Sequence, residues 1–136
     1  MSFTNHPEFL RRVLLTDAAS CAVLGVIMAG ASSLIAALTG LPSELLVWAG
    51  TALLPVAAYI ALIALRSDIP AWGVWVLILG NAGWILGSVA VLNAVDGLNA
   101  MGMVFVVGQA LAVLVLTELE FIGLRRQSRR GGVAAA

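Results

Sequence analysis

The sequence has little charge, a single cysteine, a single histidine and no lysine. Only 10% of its 136 residues are charged, and Cys21 and His6 are the only residues of their types. One cysteine excludes an intrachain disulfide or a zinc site built on cysteine pairs, and one histidine excludes haem ligation by two histidines of one chain. The sequence contains no phosphate loop, dinucleotide fingerprint or nucleophile motif. It therefore predicts a protein that is not an enzyme, with no catalytic residue, cofactor or metal.

Apolar residues are what the chain has in abundance. They make up 62% of it, with a mean hydropathy of +1.08, against ~45–50% in ordinary soluble domains. Four long runs contain no charged residue, and each reaches the ~20 residues that a membrane-spanning helix needs. The sequence therefore predicts an all-α polytopic membrane protein, with residues 1–136 forming one domain. We expect a bundle of four transmembrane helices at about 12–38, 44–65, 70–93 and 98–124.

All seven basic residues lie on one side of this predicted topology. Two precede the first helix, one separates the second from the third, and four follow the last: Arg11, Arg12, Arg66, Arg125, Arg126, Arg129 and Arg130. The other two turns carry only Glu44 and Asp96. Because basic residues in short loops stay cytoplasmic, we predict that both termini are cytoplasmic. The arginine-rich tail is expected to contact anionic lipid headgroups and not nucleic acid.

Small residues recur along two of the predicted helices. The first helix carries Gly25 and Ala29, and the third carries Gly73, Gly80, Gly83 and Gly87. Lipid tails provide no hydrophobic drive between helices, so helices associate in membranes by close approach through small residues. Both stripes therefore predict helix-packing faces, either within the bundle or between copies of the chain. In the second helix, Pro55 predicts a kink because it removes a backbone hydrogen bond.

Polar side chains inside the predicted helices fall at two depths. Counted from the flanking arginines, Asp17, Tyr59 and Glu120 lie about 8–10 Å inside the inner boundary, at 1.5 Å per residue. Asn81 and Gln109 lie deeper, at matched positions near the midplane. We interpret the two layers as one candidate intramembrane site.

Helical phase decides which of these side chains point the same way. At about 100° per residue, Glu120 shares a face with Gln109, whereas Glu118 points nearly opposite. On the third helix Asn81 shares a face with Trp84, which is too deep for the inner aromatic belt and therefore joins the candidate site. We expect Asn81 to reach across to Gln109.

The residues also carry a family resemblance. The stretches LRRVLLTDAA (10–19), GLPSELL (40–46), GNAGW (80–84) and ELEFIGLRR (118–126) resemble an uncharacterised family of small bacterial four-helix integral membrane proteins. The resemblance covers most of the chain. It implies the four-helix fold and a bacterial inner membrane, and it implies no activity.

Two functional hypotheses follow. The first is a non-enzymatic scaffold or accessory subunit whose small-residue faces pack onto a larger membrane complex or onto a second copy. The second is a small proton-coupled transporter or channel, acting as an oligomer, in which Asp17 or Glu120 binds the proton. Intramembrane carboxylates are functional by default. Because both acids lie near the interface, where water and arginines are within reach, the sequence favours the first hypothesis. In either case the bilayer is the first partner.

Overall fold

The computed structural model of this chain describes residues 8–135, so His6 lies outside the described residues. Every regular element in that range is a helix: α1 (Phe9–Gly30), α2 (Ser32–Thr39), α3 (Ser43–Ala64), α4 (Ala71–Ala94) and α5 (Ala100–Ala135). Four of the helices are long and apolar enough to cross a membrane, namely α1, α3, α4 and the Ala100–Val133 part of α5. The prediction of an all-helical chain with four potential membrane spans is confirmed.

The first predicted helix is divided in two. α1 starts at Phe9, earlier than predicted, and ends at Gly30; Ala31, at φ −115° and ψ 25°, separates it from α2. The break falls where a glycine is followed closely by two serines. Such combinations interrupt helices, since glycine has low helix propensity and serine hydroxyls compete for backbone groups. The prediction of one continuous helix over 12–38 was wrong for this reason.

α5 extends well past its predicted end at residue 124. It begins after Asn99, whose Oδ1 accepts a hydrogen bond from the Gly102 N–H at 2.9 Å, which is N-cap geometry. It continues to Ala135 through a segment that contains four arginines, which are good helix formers. Gln127 in this extension donates to the Ile69 carbonyl at 2.8 Å. The C-terminal arginines therefore lie on a helix.

The two middle helices keep close to their predicted limits. α3 covers Ser43–Ala64 against a predicted 44–65, and α4 covers Ala71–Ala94 against 70–93. α3 continues through Pro55 without a break. The kink at this proline stays a prediction.

Neighbours in sequence are not always neighbours in space. α1 packs along α3, α4 packs on α5, and α5 also contacts α1, whereas α3 hardly touches α4 although it precedes it directly. The buried apolar side chains form two groups. One includes Leu14, Ile60 and Val74, and the other includes Met28 and Leu46. The weak α3–α4 contact leaves one side of the molecule open.

Side chains tie the helices together at both ends. At the arginine end, where α1 starts and α3 stops, Arg11 donates to the carbonyls of Ala64 and Arg66, each at 2.8 Å. A cation is favourable there because the carbonyls of a helix C-terminus carry partial negative charge. At the opposite end, Asn99 donates from its backbone to the Thr39 carbonyl at 3.2 Å. These contacts join α1 to α3 and α2 to the start of α5.

Candidate functional site

The carboxyl groups of Asp17 and Glu120 meet between α1 and α5. Asp17 is 2% exposed and Glu120 is 0% exposed, and the two side chains lie within hydrogen-bonding reach of each other. With both groups ionised, Asp17 Oδ2 and Glu120 Oε1 are buried without any hydrogen-bond donor. Ionised carboxylates only accept hydrogen bonds, so a bond between them requires a proton on one of the two. We call these residues the carboxyl pair; its geometry is that of a proton-holding site.

Two neutral groups complete the surroundings of the carboxyl pair. Asn81 on α4 donates from Nδ2 to Glu120 Oε2 at 3.2 Å. Cys21, one turn after Asp17 on α1, has its Sγ 3.6 Å from Asp17 Oδ1. Helical phase correctly places Glu120 inside and leaves Glu118 exposed. The pair is therefore fixed by three helices.

A second polar group lies further from the arginine end, between α4 and α5. Trp84 Nε1 donates to Gln109 Oε1 at 2.6 Å, and Gln109 Nε2 donates to Ser88 Oγ at 2.9 Å. The prediction of a hydrogen bond between Asn81 and Gln109 was wrong. Asn81 instead bonds to Glu120, whose carboxyl is a stronger acceptor than an amide when ionised, and Gln109 is engaged by the indole one turn further along α4.

A cavity of about 280 Å³ lies between the two polar groups. Asp17 and Asn81 line it on one side, and Trp84 and Gln109 on the other. A second cavity of about 400 Å³ also touches Trp84 and Gln109 and extends among residues of the other apolar group, such as Met28. Because both cavities share the Trp84–Gln109 hydrogen bond, this pair separates them.

The first cavity opens on the side where α3 and α4 are apart. Of the residues that line it, Val56 on α3 and Val76 and Gly80 on α4 are exposed on the surface, as are Ser20 on α1 and Ala112 on α5. Tyr59 also lines it, but its hydroxyl donates to the Gly73 carbonyl at 2.8 Å. The cavity therefore combines an exposed apolar opening with a buried acidic inner end.

The predicted packing glycines occupy two different environments. A Cβ built on Gly25 would lie 2.8 Å from the Gly50 carbonyl oxygen, and one built on Gly50 would lie 2.7 Å from the backbone nitrogen of Ala29. A Cβ built on Gly73 would be less crowded, with Pro70 Cγ the nearest atom at 3.2 Å.

The remaining α4 glycines have open space in front of them. A Cβ on Gly80, Gly83 or Gly87 would meet none of the described residues within 4 Å. This part of the small-residue face of α4 therefore packs on no other described helix, and a packing face between copies stays a prediction.

Sequence reasoning missed two residues that position this site. Gly50 allows α3 to approach α1 closely, and Ser88 completes the hydrogen bonds of Gln109. Counting depth from the arginines gives only a coarse signal for Gly50, because it lies 16 residues before Arg66 whereas Gly25 lies 13 residues after Arg12. Ser88 shares a helix face with Trp84, so helical phase contained that signal.

Comparison with protein-family models, curated proteins and solved structures finds no match to this chain. The family resemblance of the sequence therefore stays a prediction. What the protein does has to be argued from the carboxyl pair, the cavities and the open side.

Proposed function

We propose that the protein is a small proton-coupled transporter of the bacterial inner membrane, a four-helix bundle with both termini in the cytoplasm. The observation that carries this proposal is the buried carboxyl pair, whose Asp17 lines a cavity. The orientation rests on the arginines, which lie at the two termini and the α3–α4 turn.

Burial changes the balance between the two hypotheses drawn from the sequence. A carboxylate in the hydrocarbon costs ~2.5–3.5 kcal/mol on insertion scales, and proteins retain such groups mainly in proton, ion and substrate pathways. The sequence favoured a scaffold because Asp17 and Glu120 lie close enough to the interface to reach water. At 2% and 0% exposure they are shielded from it. Access to water is therefore no longer a reason to regard the two acids as structural.

The arrangement provides a physical basis for coupling. A proton on the carboxyl pair removes the repulsion between two like charges in a medium of low dielectric constant. A substrate in the cavity contacts Asp17 and Asn81, and both belong to the hydrogen-bonded group that holds the proton. A substrate that alters proton affinity must have its own affinity altered by the proton to the same extent. One site can thus couple substrate binding to proton binding.

The test is proton movement in proteoliposomes with an imposed pH gradient. A pH-sensitive dye trapped inside the vesicles would be followed with panels of organic cations, organic anions, neutral solutes and metal cations, because a one-for-one exchange of like charges produces no current. We expect a solute-dependent proton flux with at least one panel, reduced at least tenfold in Asp17→Asn and in Glu120→Gln. Glu118→Gln is the matched control, because this carboxyl is exposed on the same helix, and it should keep the proton flux.

Absence of a solute-dependent proton flux with every panel, or a flux that survives both substitutions, would overturn the transporter. Circular dichroism and gel filtration of each variant establish that the protein under test is folded.

The open face of α4 favours a second candidate, the scaffold or accessory subunit that packs on itself or on a larger complex. Gly83 and Gly87 form a GxxxG pair with free space in front of both, which is the geometry that lets another helix approach. A homo-oligomer is compatible with both candidates. A larger partner would favour the scaffold alone.

Native mass spectrometry of protein released gently from its membrane tests this second candidate. The double variant Gly83→Leu, Gly87→Leu should lose oligomers or a co-released partner. Gly108→Leu, at another helical glycine with open space around it, should retain them. Equal masses for all three proteins would count against packing through this face.

A further inference from the structure

The ionisable groups at the first cavity are all acids. Asp17, Cys21 and Tyr59 line it, Glu120 lies against Asp17, and none of the described residues lining it is basic. In a site of low dielectric constant such a set attracts a cation and repels an anion. Once the proton shared by the carboxyl pair has left, Asp17 also has a carboxyl oxygen that is buried without a donor. The deprotonated site thus offers negative charge with unmet hydrogen-bonding capacity.

Apart from Ser20, Asn81 and Gln109, the rest of the lining is apolar or aromatic. It includes Leu24, Leu53, Leu77, Ala112 and Leu116. The rings of Trp84 and Tyr59 also line the cavity, and aromatic faces attract cations by about 0.5–2 kcal/mol. The volume of about 280 Å³ is near the lower limit of ~300–1,000 Å³ for small-molecule sites. The space suits one ring or a short alkyl chain.

We propose that this cavity binds a small apolar organic cation, an amine or ammonium compound carrying one ring or a short alkyl chain, in exchange for a proton of the carboxyl pair. One singly charged cation enters and one proton leaves to solvent. No covalent bond is made or broken apart from the O–H bond of the departing proton. The net charge of the site is the same before and after, so the exchange buries no additional charge.

The opening between α3 and α4 fits the same class of ligand. Val56, Val76 and Gly80 bound it, and a Cβ on Gly80 would meet nothing within 4 Å. An apolar cation partitions into the membrane with its charge near the headgroups and its hydrocarbon part in the lipid. Such a molecule reaches a lateral opening from the bilayer, whereas a strongly hydrated cation does not.

Besides the carboxyl pair, α1, α3 and α4 each present a polar group to the first cavity. α1 contributes the Cys21 thiol and α4 the Asn81 amide, both bonded to the pair. α3 contributes the Tyr59 hydroxyl, which is bonded to the Gly73 carbonyl. The carboxyl pair itself is therefore the part of this site that exchanges a proton with a cation.

The inference deepens the proposed function, and transport of the cation rests on it, but binding is measured without transport. The probe is benzyltrimethylammonium, added to the full chain in detergent micelles and followed by isothermal titration calorimetry. We expect one bound cation per chain, with an affinity that rises by up to about tenfold per pH unit while the pair is protonated. A pH indicator in weak buffer should record up to about one proton released per cation.

Three matched comparisons control this experiment. Benzyl alcohol carries the same ring without charge and benzenesulfonate carries it with the opposite charge, and both should bind at least about tenfold more weakly. Asp17→Asn and, as a second variant, Glu120→Gln should each lower cation affinity at least about tenfold and abolish proton release. Glu118→Gln should leave both unchanged.

Two results would overturn the inference: equal binding of benzyl alcohol, or cation binding whose affinity does not change with pH. Failure of this inference can be distinguished from failure of the proposed function. A carboxyl-dependent proton flux for another solute class, without cation binding, refutes the cation and keeps the transporter. Cation binding with proton release but no cation-dependent proton flux in liposomes keeps the site and refutes transport.

Discussion

Glycines on two sides of the same molecule have opposite surroundings. Where α1 crosses α3, an added Cβ on Gly25 or Gly50 would lie within 3 Å of backbone atoms of the other helix, whereas on Gly83 and Gly87 of α4 it would meet nothing. Small residues permit two helices to approach, but they do not provide the partner. The α1–α3 face is closed within the chain, and the α4 face is available to lipid, ligand or another protein.

The open side is also where the cavities lie. α3 uses its small residues against α1 and hardly contacts α4, so the space between α3 and α4 is left to the groups that line it. Tight packing on one side of α3 thus accompanies a cavity on the other. The contrast between a closed and an open face can be tested directly by substitutions of matched size.

The largest effect should come from adding one methyl group to the closed face. In Gly50→Ala, the new Cβ would lie 2.7 Å from backbone atoms of α1, and overpacking of this kind costs typically ~1–3 kcal/mol. Gly83→Ala adds the same methyl group to the open face and should change stability by at most about 1 kcal/mol, in the stabilising direction. Unfolding in mixed micelles by added sodium dodecyl sulfate, followed by circular dichroism, measures both.

Equal stability of these two variants would remove the distinction between the faces. A loss of stability in Gly83→Ala that depends on protein concentration would show instead that α4 packs against a second copy.

A smaller effect is expected where the closed face is tied at the arginine end. Arg11→Met removes the guanidinium bonds to the Ala64 and Arg66 carbonyls and should lower the free energy of unfolding by about 1–2 kcal/mol. Arg12→Met is the control, because Arg12 is exposed, and it should change stability little. Hydrogen exchange of the last turn of α3 should quicken only in Arg11→Met. Equal exchange in both would refute the capping role.

The smallest effect is expected on the open side, between the two cavities. Gln109→Leu removes the acceptor of the Trp84 indole N–H, and interhelical hydrogen bonds in membranes contribute ~0.6 kcal/mol on average. Trp84→Phe removes the same bond from the other partner. The double variant should therefore lose less stability than the sum of the two single variants. Strict additivity would mean that this hydrogen bond contributes nothing.

The long apolar runs were enough to predict four spans, and the middle two were placed to within a residue or two. Helical phase also placed Glu120 inside and Glu118 outside, because both lie on one regular helix. The break at Ala31 was missed because a run without charge says nothing about local backbone preference. The sequence does not predict the extension of α5, because the arginines indicate where the membrane span ends and not where the helix ends.

The partner of each polar side chain could not be predicted from depth. Asn81 and Gln109 lie at matched depth, yet each bonds to another group, because the choice depends on helix rotation and on competing donors such as Trp84. The sequence predicts that Asp17 and Glu120 lie in one layer, but it predicts neither their direct contact nor their full burial. Those depend on α5 packing against α1, which a single sequence does not specify.

The separation of the carboxyl pair along the chain bears on how the protein is made. Asp17 lies in the first helix and Glu120 in the last, about a hundred residues apart. At a synthesis rate of about 5–20 residues per second, the first acid waits on the order of 5–20 seconds for the second. α1 can dock on α3 in that interval, so the acid is held by a half-built protein. The two carboxyl groups come together only when the last helix arrives, and a chain truncated before α5 carries a lone acid.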